Sequence, residues 1–196
     1  MKKTVECLIK AYLWESQARN RYSFYASKAK KEWYEQIADI FLTTAEQEKK
    51  HAQIFYQYLI ELCTEEIENH CLKIDNLSLE IPTQLGSTLD NLKASLEGET
   101  EEFTISYPKF AEIAEEEWFH EIAEKFKAIA HAEEHHKYNF EQLYNLLKSG
   151  NYFSWRWVKT WVCRECGYMV IGETAPTVCP SCNHPQGFFE VLKTEY

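Results

Sequence analysis

Two tetrads could bind a metal ion: Glu48-Lys49-Lys50-His51 and Glu133-Glu134-His135-His136. Each is Glu-x-x-His, and three residues on a helix bring a carboxylate and an imidazole onto one face. A single Glu-x-x-His is common and is most simply a solvated helix face. Here two copies stand 85 residues apart, in register with a wider repeat. Glu15 and Glu48 are equidistant from residues 31 and 32, and Glu99 and Glu133 are equidistant from Glu116. If each pair spans a helical hairpin, every Glu stands level with its partner's tetrad, roughly 25 Å from the turn. Glu102 lies one turn from Glu99 on the same face. Five carboxylates and two imidazoles converging inside a bundle would repel one another and lose hydration, so cations must compensate. Glu from two helices with Glu-x-x-His from two others is a dimetal carboxylate set, and its oxygen-rich ligation with two His suits iron or manganese. His70, His120, His131 and His135 lack this placement and read as surface or outer residues.

A second constellation follows. Cys163-Arg164-Glu165-Cys166 and Cys179-Pro180-Ser181-Cys182 are two knuckles separated by twelve residues, able to close a tetrahedral four-sulfur site. Backbone N–H groups after the first Cys of each knuckle can donate to sulfur and tune its potential. Spacing alone leaves zinc and iron equally open. Cys7, Cys63 and Cys71 show no ligand spacing and read as small, partly buried residues.

The elements that must position these groups follow from periodicity. Apolar residues recur at helical intervals from residue 3 to about 148, as in Ile37, Ala38, Phe41, Leu42 and Ala45. The first 81 residues contain no Gly and no Pro, as long helices require. Lys30-Lys31-Glu32 and Glu115-Glu116-Glu117 are the expected turns. The stretch from Cys63 to Pro82, with Asn69, Asp75, Asn76 and Ser78, is the expected long crossover. At a constant offset of 85, Tyr22 matches Tyr107, Glu32-Trp33 matches Glu117-Trp118, and Phe41 matches Phe126. Upstream, Glu15 matches Glu99 only at 84, which places one extra residue, a π-bulge, in the third helix. The plan is a duplicated helical hairpin, a mainly α four-helix bundle with one long crossover over residues 1–150. Gly150 ends the last helix, and residues 151–196 form a small four-cysteine module that begins with an extended run from Tyr152 to Val158.

The chain has 196 residues with a net charge of −10, which argues against a nucleic-acid or anionic-membrane partner. No apolar run is long enough to span a membrane, and Glu6 and Lys10 interrupt any signal-peptide core, so a cytoplasmic protein is expected.

The whole pattern resembles a rubrerythrin. The resemblance rests on Trp14-Glu15-Ser16-Gln17-Ala18-Arg19-Asn20-Arg21-Tyr22, Glu48-x-x-His51, Glu97-Gly98-Glu99-x-x-Glu102, Tyr107-Pro108, Glu133-x-x-His136 and the run from Cys163 through Gly167-Tyr168 to Cys182. It implies a ferritin-like bundle holding two non-haem irons and a rubredoxin-like module whose Cys163, Cys166, Cys179 and Cys182 hold one iron. It also implies that Glu48 and Glu133 bridge the two irons, with Glu15 and Glu99 as terminal ligands and His136 completing one iron. His51 and Glu102 match a pair that exchange places on the other iron, and Tyr22 and Tyr107 match tyrosines beside the carboxylates. Trp14 departs from the small residue common at this position, which narrows a pocket wall or reshapes the core.

The resemblance further implies a peroxidase that reduces hydrogen peroxide, with electrons arriving through the four-cysteine iron from a separate reductase or rubredoxin. Glu102 is the expected proton relay. A head-to-tail homodimer is implied, although the linker after Gly150, at most ~40 Å extended, could instead reach back along its own bundle. Two rivals use the same residues. One is a ferroxidase or iron-handling protein; the other is an electron carrier with a structural zinc.

Overall fold

The protein is described from a computed structural model over residues 2–64, 72 and 77–192. His70, Cys71, Asn69, Asp75 and Asn76 lie outside the described residues. Helix α1 (Lys3–Lys31) packs along α2 (Glu35–Leu62), and α3 (Thr88–Glu101) and α4 (Tyr107–Glu116) pack along α5 (His120–Lys148). A five-residue π-helical segment, Glu102–Ser106, joins α3 to α4 without a break, where the change of repeat offset placed one extra residue.

The turns fall two residues later than the charge runs implied. Trp33 (φ 65°) and Trp118 (φ 66°) occupy the left-handed region at the two equivalent turns. A bulky residue there is rare, so no sequence rule would choose it over the neighbouring lysines or glutamates. The turn glutamates explain the benefit. Glu117 accepts hydrogen bonds from Lys3 N, Thr4 N and Thr4 Oγ1 at 2.7–3.1 Å, covering free N–H groups at the start of α1. Glu32 accepts from Thr88 N at 2.8 Å, doing the same at the start of α3. Each hairpin's turn therefore caps the other hairpin's first helix. Ser87 and Asp90 add a capping box to α3.

The bundle core has three layers. One apolar cluster contains Leu8, Phe55, Tyr107 and Phe126; another contains Tyr22, Tyr25, Phe41 and Phe140. Between them lie Glu15, Glu48, His51, Glu99, Glu133 and His136, all buried. Apolar burial on both sides stabilises a polar layer that could not fold alone.

Beyond Gly150 (φ 72°), a three-stranded antiparallel sheet forms in the order β2-β1-β3, with β1 at Ser154–Cys163, β2 at Met169–Thr174 and β3 at Phe189–Val191. Trp161, Cys163, Cys179 and Phe189 form its core. This sheet sits on the first turns of α2. Arg164 donates to Asp39 at 3.0 Å, Tyr152 donates to Gln36 at 3.1 Å, and Tyr34 stacks on Phe153. Gly187 lies against Trp33, where an added Cβ would stand 1.9 Å from the Trp33 carbonyl oxygen, so only glycine permits that approach.

Candidate metal centres

The carboxylate and imidazole layer divides into two overlapping ligand sets. Glu15, Glu48, His51 and Glu133 can each offer an atom within 4.8 Å of the others, and so can Glu48, Glu99, Glu133 and His136. Glu48 and Glu133 alone belong to both. His51 Nδ1 stands 3.0 Å from both Glu48 and Glu133 and 3.8 Å from Glu15. His136 Nδ1 stands 2.6 Å from Glu133, 3.1 Å from Glu48 and 3.6 Å from Glu99. The two imidazoles thus present the same ring nitrogen to equivalent surroundings related by rotation, as expected for a duplicated hairpin.

The tyrosines cross between hairpins. Tyr22 of α1 donates to Glu99 of α3, and Tyr107 of α4 donates to Glu15 of α1. Each phenol fixes one carboxylate oxygen and leaves the other aimed into the layer. Those inward atoms are the orphans: Glu15 Oε2, Glu48 Oε1, Glu99 Oε2, both Glu133 oxygens and His136 Nδ1 are buried without a hydrogen-bond partner. A buried orphan carries a full desolvation penalty, and six converging on one layer are accounted for by cations. The donor set therefore fits two oxygen-preferring metal ions with one imidazole each.

Electrostatics lead to the same conclusion. Burial, then the charges of Glu48 and Glu133, pushes Glu15 well above the usual carboxylate range. Burial and the Glu48 charge raise Glu99 to about 8. Burial opposes ionisation of Glu48, but the adjacent imidazoles of His136 and His51 prevail and hold it down at about 2. Burial would lower His51, yet Glu133 and Glu48 raise it to about 9. Protons thus do the neutralising that metals would otherwise do.

This has a signed consequence for the chelated, metal-free protein. Groups with raised folded values, Glu99 and His51, stabilise fully below their unfolded values and lose that contribution as pH rises through about 8 and 9. Its thermal midpoint is expected to fall by about 5 °C or more between roughly pH 5 and 9. The iron-loaded protein should hold its midpoint over the same range, which calorimetry on both forms would check.

Glu102 belongs to neither ligand set. It opens the π-helical segment and lines a cavity of about 260 Å³ with Trp14, Arg21, Glu80, Pro82, Gly98 and Glu101. Burial, then the charges of Glu99, Glu133 and Glu48, keeps its carboxyl well above the usual range. Trp14 does both things its size permits: it stacks on Phe110 at 5.5 Å and walls this cavity. His120, His131 and His135 are exposed.

In the sheet module the four Sγ atoms also gather within 4.8 Å, with Cys163–Cys182 and Cys166–Cys179 each 3.7 Å apart. Ligands of a tetrahedral ion at ~2.3 Å lie about 3.8 Å from one another, so this spacing fits a bound metal. Backbone N–H groups of Glu165 and Cys166 reach the Cys163 sulfur, and those of Tyr168 and His184 reach Cys166 and Cys182. The Tyr168 N–H is the main cause that lowers the Cys166 thiol to about 6.

The model of the rubrerythrin family matches residues 6–144, and that of the rubrerythrin rubredoxin-like domain matches residues 161–190. The chain belongs to the rubrerythrin family. Rubrerythrin of Porphyromonas gingivalis is 46% identical, over 99% of this chain and 92% of its own length. Rubrerythrin-1 of Clostridium acetobutylicum is 45% identical, over 99% and 96%. A solved structure of nigerythrin in its fully reduced, all-ferrous state superposes with a TM-score of 0.63 at 27% identity, covering 96% of this chain and 86% of that one. The carboxylate and histidine layer is thus the di-iron site of a rubrerythrin, and the four cysteines are its rubredoxin-like iron site. No described helix is long and apolar enough to cross a membrane.

One residue of this rubrerythrin site was missed from sequence. Gln47 on α2 accepts a hydrogen bond from His136 Nε2 at 3.0 Å. Its position beside Glu48 was the available signal, but a polar residue on an exposed helix edge is too ordinary to single out.

Proposed function

We propose that this protein is a non-haem di-iron peroxidase that reduces hydrogen peroxide to water. The residues divide into a bundle of 1–150 and a four-cysteine module of 151–196. In this reading Glu48 and Glu133 would be shared by two irons, Glu15, Glu99 and His136 would be further ligands, and His51 or Glu102 would complete the second iron. The observation that carries it is the cavity lined by Glu102, a carboxyl outside both ligand sets whose affinity for a proton is raised by burial and by the neighbouring Glu99, Glu133 and Glu48 charges.

Reduction of hydrogen peroxide breaks the O–O bond and consumes two electrons and two protons to give two waters. Two ferrous irons held by the layer would supply the electrons and Lewis acidity. The chain supplies the rest. Glu102 is poised to deliver a proton from the cavity side, its affinity for a proton raised by burial and then by the Glu99 charge. Tyr22 and Tyr107 hold Glu99 and Glu15 in place through their phenol O–H groups. Apolar layers above and below exclude bulk water from the reacting atoms.

Cys163, Cys166, Cys179 and Cys182 would hold an iron able to pass electrons from a separate reductase or rubredoxin. Arg164 ties their knuckle to Asp39, nine residues or ~14 Å along α2 from Glu48. A head-to-tail homodimer would add a second route between subunits. We place the protein in the cytoplasm.

The test is to reduce the iron-loaded protein fully without oxygen, then mix it with peroxide and, separately, with air-saturated buffer. Fast reoxidation of the four-cysteine iron by peroxide, and much slower by oxygen, is expected. Faster oxidation by oxygen would point to a ferroxidase; a module without visible colour would point to a structural zinc. Glu102→Ala should slow peroxide turnover by about 10- to 100-fold with the spectrum of the four-cysteine iron intact. An unchanged rate would remove Glu102 from proton delivery.

A further inference from the structure

The two metal positions are related by the internal repeat, and their immediate surroundings are nearly the same. Each imidazole turns Nδ1 toward two shared carboxylates and one of its own. A metal held at Nδ1 leaves the ring proton on Nε2, and the partner of that proton sets the ring's orientation and basicity. At His136 the partner is present: Gln47 Oε1 lies 3.0 Å from Nε2 and ties α5 to α2. The repeat offset of 85 pairs Gln47 with Ala132, whose methyl can accept nothing. Among the described residues His51 Nε2 has no hydrogen-bond partner of this kind, and its side chain is 11% exposed against 2% for His136.

We propose that Gln47 is a positioning residue that makes the two metal positions unequal: it pins His136 through Nε2, whereas Ala132 leaves His51 untethered. The His136 position is then the tighter one and the His51 position the weaker. The inference rests on the two-metal reading of the layer and is independent of the peroxidase reading. Gln47 is on the exposed edge of α2, so changing it leaves the core untouched.

The test titrates chelated protein with cobalt(II), whose binding in the bundle lacks the sulfur charge-transfer absorption of the four-cysteine module. The intact protein should show two unequal bundle steps. Gln47→Ala should weaken the tighter step by about 10- to 100-fold and leave the other within about twofold. Gln47→Glu, which keeps an acceptor oxygen, should restore it, and Ala132→Gln should tighten the weaker step. On zinc-loaded, nitrogen-15 histidine-labelled protein, one Nε2 proton protected from solvent exchange should be assigned to His136 and disappear in Gln47→Ala. Two steps that both ignore Gln47→Ala, or that weaken equally, would overturn the assignment. Failure of the intact protein to take up cobalt beyond the four-cysteine site would overturn the two-metal reading, and the inference with it.

Discussion

Glu48→Ala is expected to empty the bundle of iron while the four-cysteine module stays loaded. Glu48 and Glu133 are the only residues shared by both ligand sets, so either position loses a ligand when Glu48 is removed. Its loss also removes the acceptor that stands 3.0 Å from His51 and 3.1 Å from His136. Removing a residue that merely supports a ligand typically weakens metal binding ~10- to 100-fold, and removal of a shared ligand should exceed that. Iron analysis should show bundle iron reduced at least about tenfold, and peroxide turnover should drop by about 100-fold or more. Glu15→Ala is the control, because Glu15 enters one set alone. It should lose one iron and keep the other. If Glu48→Ala retained both irons, the shared-ligand description of the layer would be wrong.

Cys166→Ser is expected to separate the two halves of the chemistry. A hydroxyl is a poor substitute for a soft thiolate, so the module should lose its iron while the bundle, whose ligand sets share no residue with it, keeps its own. Steady turnover supplied by an external reductase should fall by about 100-fold or more, because the relay is gone. A single turnover of chemically reduced protein should stay within about twofold of the unsubstituted rate, since the bundle needs no relay for its first cycle. Stopped-flow mixing with peroxide measures the second quantity and a coupled assay the first. Unchanged steady turnover would mean that electrons reach the bundle directly.

Most of the site could be read from residue spacing. Glu48, His51, Glu133 and His136 are local pairs, and a helix of fixed pitch places each pair on one face whatever surrounds it. The levels of Glu15 and Glu99 followed from hairpin geometry, and the slip from 85 to 84 in the repeat located the π-helical segment at Glu102–Ser106. The cysteine knuckles were equally plain, because four sulfurs at that spacing have few other uses. Boundaries were harder. The turns centre on Trp33 and Trp118 in left-handed conformations, a choice that makes sense only once Glu32 and Glu117 are seen capping the opposite hairpin.

The sequence by itself determined the duplicated hairpin, the ligand-bearing faces and the four-sulfur module, since all of these depend on periodicity within one segment. Tertiary structure alone decided that Tyr22 and Tyr107 cross between hairpins, that Glu102 faces a cavity rather than either ligand set, and that Gln47 tethers one histidine and not the other. It also decided that Arg164 seats the module on α2 and Gly187 seats it on the turn before α2. Each of these contacts joins residues far apart in the chain. Their distances are set by how whole helices pack, and no local pattern of hydrophobicity or spacing encodes that.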